Sequence, residues 1–184
     1  MIIFEWEKSV IETARTWPTS GPIYEFFNFW SDYHESRWVV LILLLLLGFR
    51  VGWRKLIIPV IGSAVSIFLG DLTSRRVIKI LVLRPRPNYI ENLCNTGKCL
   101  GFVSGHATNV SAVAMFLCLY DKRNIYWALP CVLLVSFSRI YLVDHFPLDV
   151  IGGIALGTCI GTLVWWLYKK ITSQNIDYFE RISK

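Results

Sequence analysis

Predominantly apolar stretches alternate with short polar ones along this chain, and three of them follow one another late in it, at residues 104–120, 125–143 and 147–168. Each has about the length a helix needs to cross a hydrocarbon layer roughly 30 Å thick. Ahead of them a longer run, 56–83, is interrupted in its second half by Asp71, Arg75, Arg76 and Lys79. At 1.5 Å per residue such a helix measures about 42 Å, so its charged end would project beyond the hydrocarbon at one face. Residues 38–49 are intensely apolar but short, and a span there borrows from about Trp30 onward, with Asp32, His34 and Glu35 at the interface. Residues 21–30 are too short to cross alone. At the N-terminus Ile3, Trp6, Val10, Ala14 and Trp17 recur at helical spacing among Glu5, Glu7, Lys8, Glu12 and Arg15, the pattern of a helix lying in the interface. The pattern predicts an all-α fold: a polytopic membrane helix bundle with five or six transmembrane helices and an N-terminal interfacial amphipathic helix.

Composition agrees. The 184 residues suit one domain, 1–184, and 54% of them are hydrophobic. Charged residues make up 17%, against roughly 25% in a typical soluble domain. Eight Trp, eight Tyr and eleven Phe suit membrane interfaces, where amphipathic rings sit at headgroup level. A mean hydropathy of +0.49 points the same way. No basic stretch with an apolar run and a small-residue cleavage site opens the chain, so a cleaved signal peptide is not expected. The net charge of +6 fits anionic lipid or membrane topology far better than nucleic acid in so apolar a sequence.

The loops give a direction. One face of the bundle carries Arg50, Arg54 and Lys55, then Lys122 and Arg123, then Lys169 and Lys170. Short basic loops stay in the cytoplasm, so the opposite face, near Leu83, Ser104, Val143 and Pro147, is expected outside. In a Gram-negative cell that is the periplasmic side of the inner membrane. Cys118, Cys131 and Cys159 fall inside spans and read as small apolar residues. Cys94 and Cys99 sit in a hydrophilic loop on the expected outer face, where an oxidising compartment permits a disulfide; two free thiols are the alternative, and a metal pair lacks further ligands nearby.

The same outer face collects the ionisable groups. The long run ends with Lys79 and Arg84-Pro85-Arg86-Pro87, the next span opens with Ser104-Gly105-His106, the following one ends in Ser138-Arg139, and the last begins with His145 and Asp149. Charges within spans are costly and default to functional candidates. If the ligand is a phosphate, each group has a task. Lys79, Arg86 and Arg139 supply charge, and arginine adds a planar fork matched to phosphate oxygens. Ser104 can cap its helix or bond a phosphoryl oxygen, and the free N–H groups of Gly105 and His106 point at the same anion. Pro147 suits the first turn of the last helix, which puts His145 just before it. Asp149 can accept a proton from one imidazole nitrogen and leave the other free to attack phosphorus. Taken singly, a cation at a span end is an anchor, Ser104 is a cap, and the His145–Asp149 pair is a structural hydrogen bond. Two of the chain's three histidines in one constellation make the joint bland reading weak.

At these residues the chain resembles the type 2 phosphatidic acid phosphatase family, whose superfamily includes soluble vanadium haloperoxidases and bacterial acid phosphatases. Its motifs Lys-x6-Arg-Pro and Ser-Arg-x5-His-x3-Asp are complete, at Lys79 through Arg86-Pro87 and at Ser138-Arg139 through His145 and Asp149. The middle motif, Pro-Ser-Gly-His, is present at Ser104-Gly105-His106 with Val103 replacing proline. The resemblance covers a motif core of 79–149. It implies a lipid phosphatase without cofactor or metal, in which His145 forms a phosphohistidine, Asp149 orients it and His106 protonates the departing oxygen. Lys79, Arg86, Ser104, Gly105 and Arg139 would then bind the phosphoryl oxygens.

Other functions weigh less. A transporter more often shows internal repeats or helices broken at mid-membrane. A vanadate-dependent oxidase shares the motifs, but a membrane enclosure favours a lipid. A lipid phosphotransferase is the nearest alternative, because a phosphohistidine can pass its group to an alcohol. Arg75, Arg76, Arg84 and Lys98 make the outer face more basic than the motifs require; Arg75 and Arg76, four and three residues before Lys79, can share its helix face. They suit a headgroup such as lipid A 1-phosphate, a polyprenyl pyrophosphate or phosphatidylglycerol phosphate, or else an anchor to anionic lipid. The expected partners are thus a phosphorylated lipid and the membrane itself, with no nucleic acid and no obligate protein partner.

Overall fold

The computed structural model describes residues 3–31, 52–89 and 99–182. The span expected at 38–49, with Asp32, His34 and Glu35, lies outside them, as do Cys94 and Lys98. Among the described residues the chain is helical, and its one strand-like pairing is an isolated antiparallel bridge between Pro85 and Leu100.

Two short helices come first, α1 (Glu5–Arg15) and α2 (Pro22–Ser31), separated by a bend at Gly21, whose φ of 90° is open to glycine without strain. A long helix follows: α3 (Trp53–Thr73), a wider π turn (Ser74–Ile78) and α4 (Lys79–Val82). Then come α5 (Gly105–Tyr120), α6 (Ile125–Tyr141) and α7 (Pro147–Ile182). The four late elements therefore begin and end close to the sequence expectation, except that α7 runs on past residue 168. Its extension begins beside Lys169 and Lys170, which lie over the rings of Trp165 and Trp166 at 5.7 and 5.1 Å. Tyr126 and Trp127 are exposed at the same end, next to Lys122 and Arg123, so aromatic and basic residues together mark an interface there.

Two stretches, Lys55–Val82 and Pro147–Ser173, are long and apolar enough to cross a membrane, and only 28% and 33% of their most apolar windows are buried. A core helix of a soluble protein would bury most of that surface. Instead Ile57, Ile61 and Phe68 of α3, Leu129 and Leu133 of α6, and Leu163 and Ile171 of α7 face outward, an apolar girdle suited to lipid.

Lipid is as apolar as leucine, so helices in a membrane associate through close packing rather than water exclusion. The α5–α7 pair is built that way. Gly153, Gly157 and Gly161 recur every four residues along α7; a Cβ at Gly153 would lie 2.7 Å from the Ser104 carbonyl, and one at Gly157 or Gly161 would collide with the carbonyls of Thr108 or Ala112. Ala107 and Ala112 complete the seam without bulk. At the far end Phe116, Ile160 and Val164 fill the space against Ile58 and Leu69 of α3, with the Phe116 ring where a side chain at Gly62 would stand.

The amphipathic N-terminal helix forms, and its inward face keeps Ala14 of the apolar set but turns toward Glu7 and Ile11. Glu7, Ile11 and Ala14 are buried, while Trp6 is exposed. The reason is an ion pair of Glu7 described below, which turns α1 onto the bundle. The α2 helix packs on α6, with the Phe27 ring 4.5 Å from Tyr141 and 5.3 Å from Phe137.

Close approach along α7 should be intolerant of a single methyl. Gly157→Ala is expected to cost about 1–3 kcal/mol by overpacking, read as a lower midpoint in thermal unfolding of the detergent-solubilised protein. An unchanged midpoint would mean that α5 and α7 can part without strain.

Candidate active site

The sequence-predicted groups meet at one end of the bundle because four helix termini deliver them there. At the end of α6, Val143 takes the left-handed conformation (φ 58°), costly for a β-branched residue. The reversal lets the Asp144 and His145 N–H groups both reach the Arg139 carbonyl, at 3.0 and 3.2 Å, as helix-closing turns do. His145 is thus folded back over the helix end and only 1% exposed. Two residues on, α7 starts at Pro147, and the Asp149 carboxylate reaches back to the Phe146 N–H at 3.0 Å, one half of a capping box.

At the end of α4, Leu83 is also left-handed (φ 52°) and sends the chain through Arg84-Pro85-Arg86 alongside residues 99–101. The Arg86 N–H donates to the Cys99 carbonyl at 2.8 Å and the Gly101 N–H to the Arg84 carbonyl at 2.6 Å. Cys99 is disulfide-bonded, one of the two alternatives the sequence left open, and Cys94 is outside the described residues. Lys79 and Arg86 both turn onto the Leu100 carbonyl, at 2.9 and 3.4 Å.

Ser104 is the residue preceding α5, and its main chain is held by its N–H donating to the Asp149 carbonyl at 2.9 Å. Its hydroxyl does not cap the helix. It is fully buried and has no hydrogen-bond partner among the described residues. Gly105 and His106 follow at the N-terminus of α5, where the first-turn N–H groups have no helical acceptor.

Arg139 is buried and pairs with Asp144 at 2.5 Å while reaching the Ser31 side chain on α2; Arg86 stands 3.8 Å from the same Asp144. Arg86 and Arg139 therefore share the one carboxylate of Asp144 between them. Burial, and then the charges of Arg86, Arg139 and Lys79, hold the His145 imidazole well below the ordinary histidine pKa, so it is neutral at physiological pH.

Three expectations need correction. Arg84 does not face a headgroup: it is 4% exposed, with its guanidinium bridging Asp149 at 2.8 Å and Glu7 at 2.6 Å. Arg76 does not share the face of Lys79. In the π turn the Lys79 N–H reaches back five residues to Ser74, each residue turns through less angle, and Arg76 is carried out to the exposed surface. Arg75 does stand beside the site, 3.1 Å from Asp71 and facing Gly105. Finally, Asp149 lies 3.5 Å from His145 Nδ1, an ion-pair distance too long for a hydrogen bond, and Nδ1 has no other partner.

Two contributors were not anticipated. Tyr24, Asn28 and Ser31 of α2 line an open cavity of about 460 Å³ together with His106, Arg139, Leu142 and Asp144. Pro22 following Gly21 was a signal for a helix start there. The other contributor is Glu7.

The family described as the PAP2 superfamily matches residues 59–173, more than half of the chain. The chain belongs to the PAP2 superfamily. Among the relatives of this PAP2 chain, a lipid A 4'-phosphatase from Bacteroides thetaiotaomicron is 32% identical over 178 residues, spanning 81% of this chain and 76% of that protein. A lipid A 4'-phosphatase from Porphyromonas gingivalis is 29% identical, spanning 71% of this chain but only 61% of its own length. An undecaprenyl-diphosphatase from Sulfolobus acidocaldarius is 36% identical, spanning 73% and 66%. The fold matches the crystal structure of a transmembrane PAP2 type phosphatidylglycerolphosphate phosphatase from Bacillus subtilis, with a TM-score of 0.66 at 22% identity over 90% of this chain and 86% of that one. By kind, then, the PAP2 chain is a membrane-embedded hydrolase of lipid phosphate esters.

Since the Ser104 hydroxyl holds nothing in the fold, Ser104→Ala should leave the thermal midpoint unchanged. Affinity for inorganic phosphate or vanadate, followed by isothermal calorimetry, should fall about tenfold or more, as for a hydrogen bond to a charged group. Unchanged affinity would remove Ser104 from the anion site.

Proposed function

We propose that this PAP2 chain releases phosphate from a lipid-linked phosphate monoester or pyrophosphate through a phosphohistidine on His145, without a metal. The observation that carries the reading is a charge imbalance: Lys79, Arg86 and Arg139 converge beside a neutral, buried histidine, while Asp144 pairs with Arg86 and Arg139 and Asp149 is already paired with Arg84. An anion with several oxygens is what such a site lacks. The unpartnered Ser104 hydroxyl and the first N–H groups of α5 add uncharged donors to the same place.

In the first step His145 Nε2 attacks phosphorus, since Nδ1 faces Asp149. The bond from phosphorus to the lipid oxygen breaks, and His106 gives that oxygen a proton. In the second, His106 takes a proton from water, the water oxygen bonds to phosphorus, and the N–P bond breaks to free phosphate. Phosphoryl transfer depends chiefly on positioning and charge stabilisation, and the three cations meet that need. His106 lines the open cavity with Tyr24 and Asn28, which puts the headgroup side of the substrate against α2. Lipid A 1-phosphate, a polyprenyl pyrophosphate and phosphatidylglycerol phosphate are the candidate esters; the Bacteroides relative is named for the 4'-phosphate of lipid A instead, and the Sulfolobus relative for undecaprenyl diphosphate.

We place the chain in a bacterial inner membrane with five or six crossings and this site at the periplasmic face. The basic and aromatic end formed by Lys122, Arg123, Tyr126, Trp127, Lys169 and Lys170 is the cytoplasmic one.

His145→Ala should abolish phosphate release from each of these candidate lipids while the protein remains folded. Wild-type protein quenched in base during turnover should show a phosphohistidine by 31P nuclear magnetic resonance. Substantial turnover by the variant would overturn the mechanism. Transfer to an added alcohol in place of release would identify a phosphotransferase using the same intermediate.

A further inference from the structure

The most heavily committed carboxylate outside the motifs is Glu7. It is fully buried although it sits on an eleven-residue surface helix. Its Oε1 accepts from the Leu148 N–H at 3.2 Å, in the first turn of α7, where backbone donors lack helical partners. Its Oε2 accepts from the Phe4 N–H at 3.3 Å and from Arg84 at 2.6 Å. The second terminal nitrogen of Arg84 donates to Asp149 Oδ1 at 2.8 Å, and the guanidinium lies 4.9 Å over the Phe146 ring. Asp149 is left with Oδ2, which receives the Phe146 N–H and lies 3.5 Å from His145 Nδ1.

We propose that Glu7, acting through Arg84, is a positioning residue that fixes the Asp149 carboxylate against His145 and keeps Arg84 from claiming Asp149 outright. The reasoning is one of divided charge. A guanidinium pairs most strongly with a single carboxylate in a two-pronged geometry. Here its two terminal nitrogens are split between Glu7 and Asp149, so Asp149 is held through one oxygen and the other stays turned toward the imidazole. Removing Glu7 frees the guanidinium to grip both Asp149 oxygens and to draw the carboxylate off His145. Removing the guanidinium leaves two buried carboxylates with no common cation. In either case the Asp149 carboxylate leaves the Nδ1 side of His145, while the phosphate-binding cations, which do not touch Glu7, stay as they are. The N-terminal helix is thereby part of the active site by way of one side chain.

This rests on His145 being the nucleophile, so the test carries one readout that needs turnover and one that does not. Glu7→Gln and Arg84→Lys are compared with wild type in detergent, and with Glu5→Gln, which breaks only the exposed pair to Lys8 on the same helix. Phosphate release from a lipid phosphate gives kcat and KM. The imidazole 15N signals of histidine-labelled protein, which has three histidines, report the hydrogen bonding of His145 without substrate. For Glu7→Gln and Arg84→Lys, kcat should fall on the order of 10- to 100-fold, as for a catalytic group displaced by about an ångström. KM should stay within about twofold, the His145 signals should move and those of His106 should not; Glu5→Gln should match wild type. A folded Glu7→Gln with full kcat overturns the proposal, as does a rise in KM with unmoved His145 signals. Failure of both variants to fold also overturns it, since the bridge would then serve stability alone. If His145→Ala keeps turnover, the mechanism falls, while the imidazole signals still decide whether Glu7 governs His145.

Discussion

A carboxylate taken out of water at the edge of a membrane has to be met by donors and positive charge, and Asp149 is buried completely. Arg84 supplies the charge, and an arginine so buried brings the same requirement with it. Glu7 meets that one and in turn caps α7. Three parts of the chain far apart in sequence, α1, the turn after α4 and the start of α7, are therefore tied at one guanidinium. Most of the site's architecture can be traced outward from that tie. Asp149 holds the Ser104 backbone through its carbonyl and the Phe146 backbone through its carboxylate, so the placement of α5 relative to α7 and the placement of His145 share one anchor.

The second constraint runs along the helices. Ser104 and Thr108 of α5 come within a hydrogen atom's reach of α7 only because Gly153 and Gly157 present backbone there. Close contact at the seam and charge pairing at its outer end act on the same two helices. A bulkier seam would lift the N-terminus of α5, and with it the Ser104 hydroxyl and the N–H groups of Gly105 and His106, away from the cations on α4 and α6. The small residues are thus as much a condition of anion binding as the arginines.

What could be read from the sequence was what chemistry makes conspicuous. Lys79, Arg86, Arg139, His145 and Asp149 stand out because ionisable side chains are rare in apolar runs, and the helix starts at Pro147 and near Ser104 carry turn and cap signals. The helix limits from 104 onward were legible for the same reason, apart from the C-terminal end of α7. Glu7 was not. It is one of several charged residues on a short amphipathic helix, where a carboxylate normally marks the wet face, and no periodicity says which of them turns inward. The apolar pattern chose a face with Trp6, and a single ion pair overrode it. Arg84 was misplaced because position beside the motif suggested the headgroup, whereas burial depends on the partner α1 brings. Arg76 was misplaced because the helical spacing assumed an unbroken α-helix through Ser74–Ile78.

The geometry at His145 carries the remaining weight. Its Nδ1 lies 3.5 Å from Asp149 Oδ2 and has no hydrogen bond, while Arg86, Arg139 and Lys79 act on the ring with positive charge. Burial and these cations favour a neutral imidazole, which is the nucleophilic form. On the proposed mechanism a bound phosphate changes the balance, because its negative oxygens offset the cations and bonding to phosphorus makes the ring cationic. A cationic ring draws Asp149 closer, and a contact that is loose in the resting enzyme shortens as the reaction proceeds. Interactions that strengthen only on the way to the transition state are the ones that raise the rate. The length of the His145–Asp149 contact therefore agrees with a catalytic pair better than a short, fully formed hydrogen bond would. It also explains why the carboxylate needs a fixed anchor behind it: Arg84 must hold Asp149 in place without using both of its oxygens.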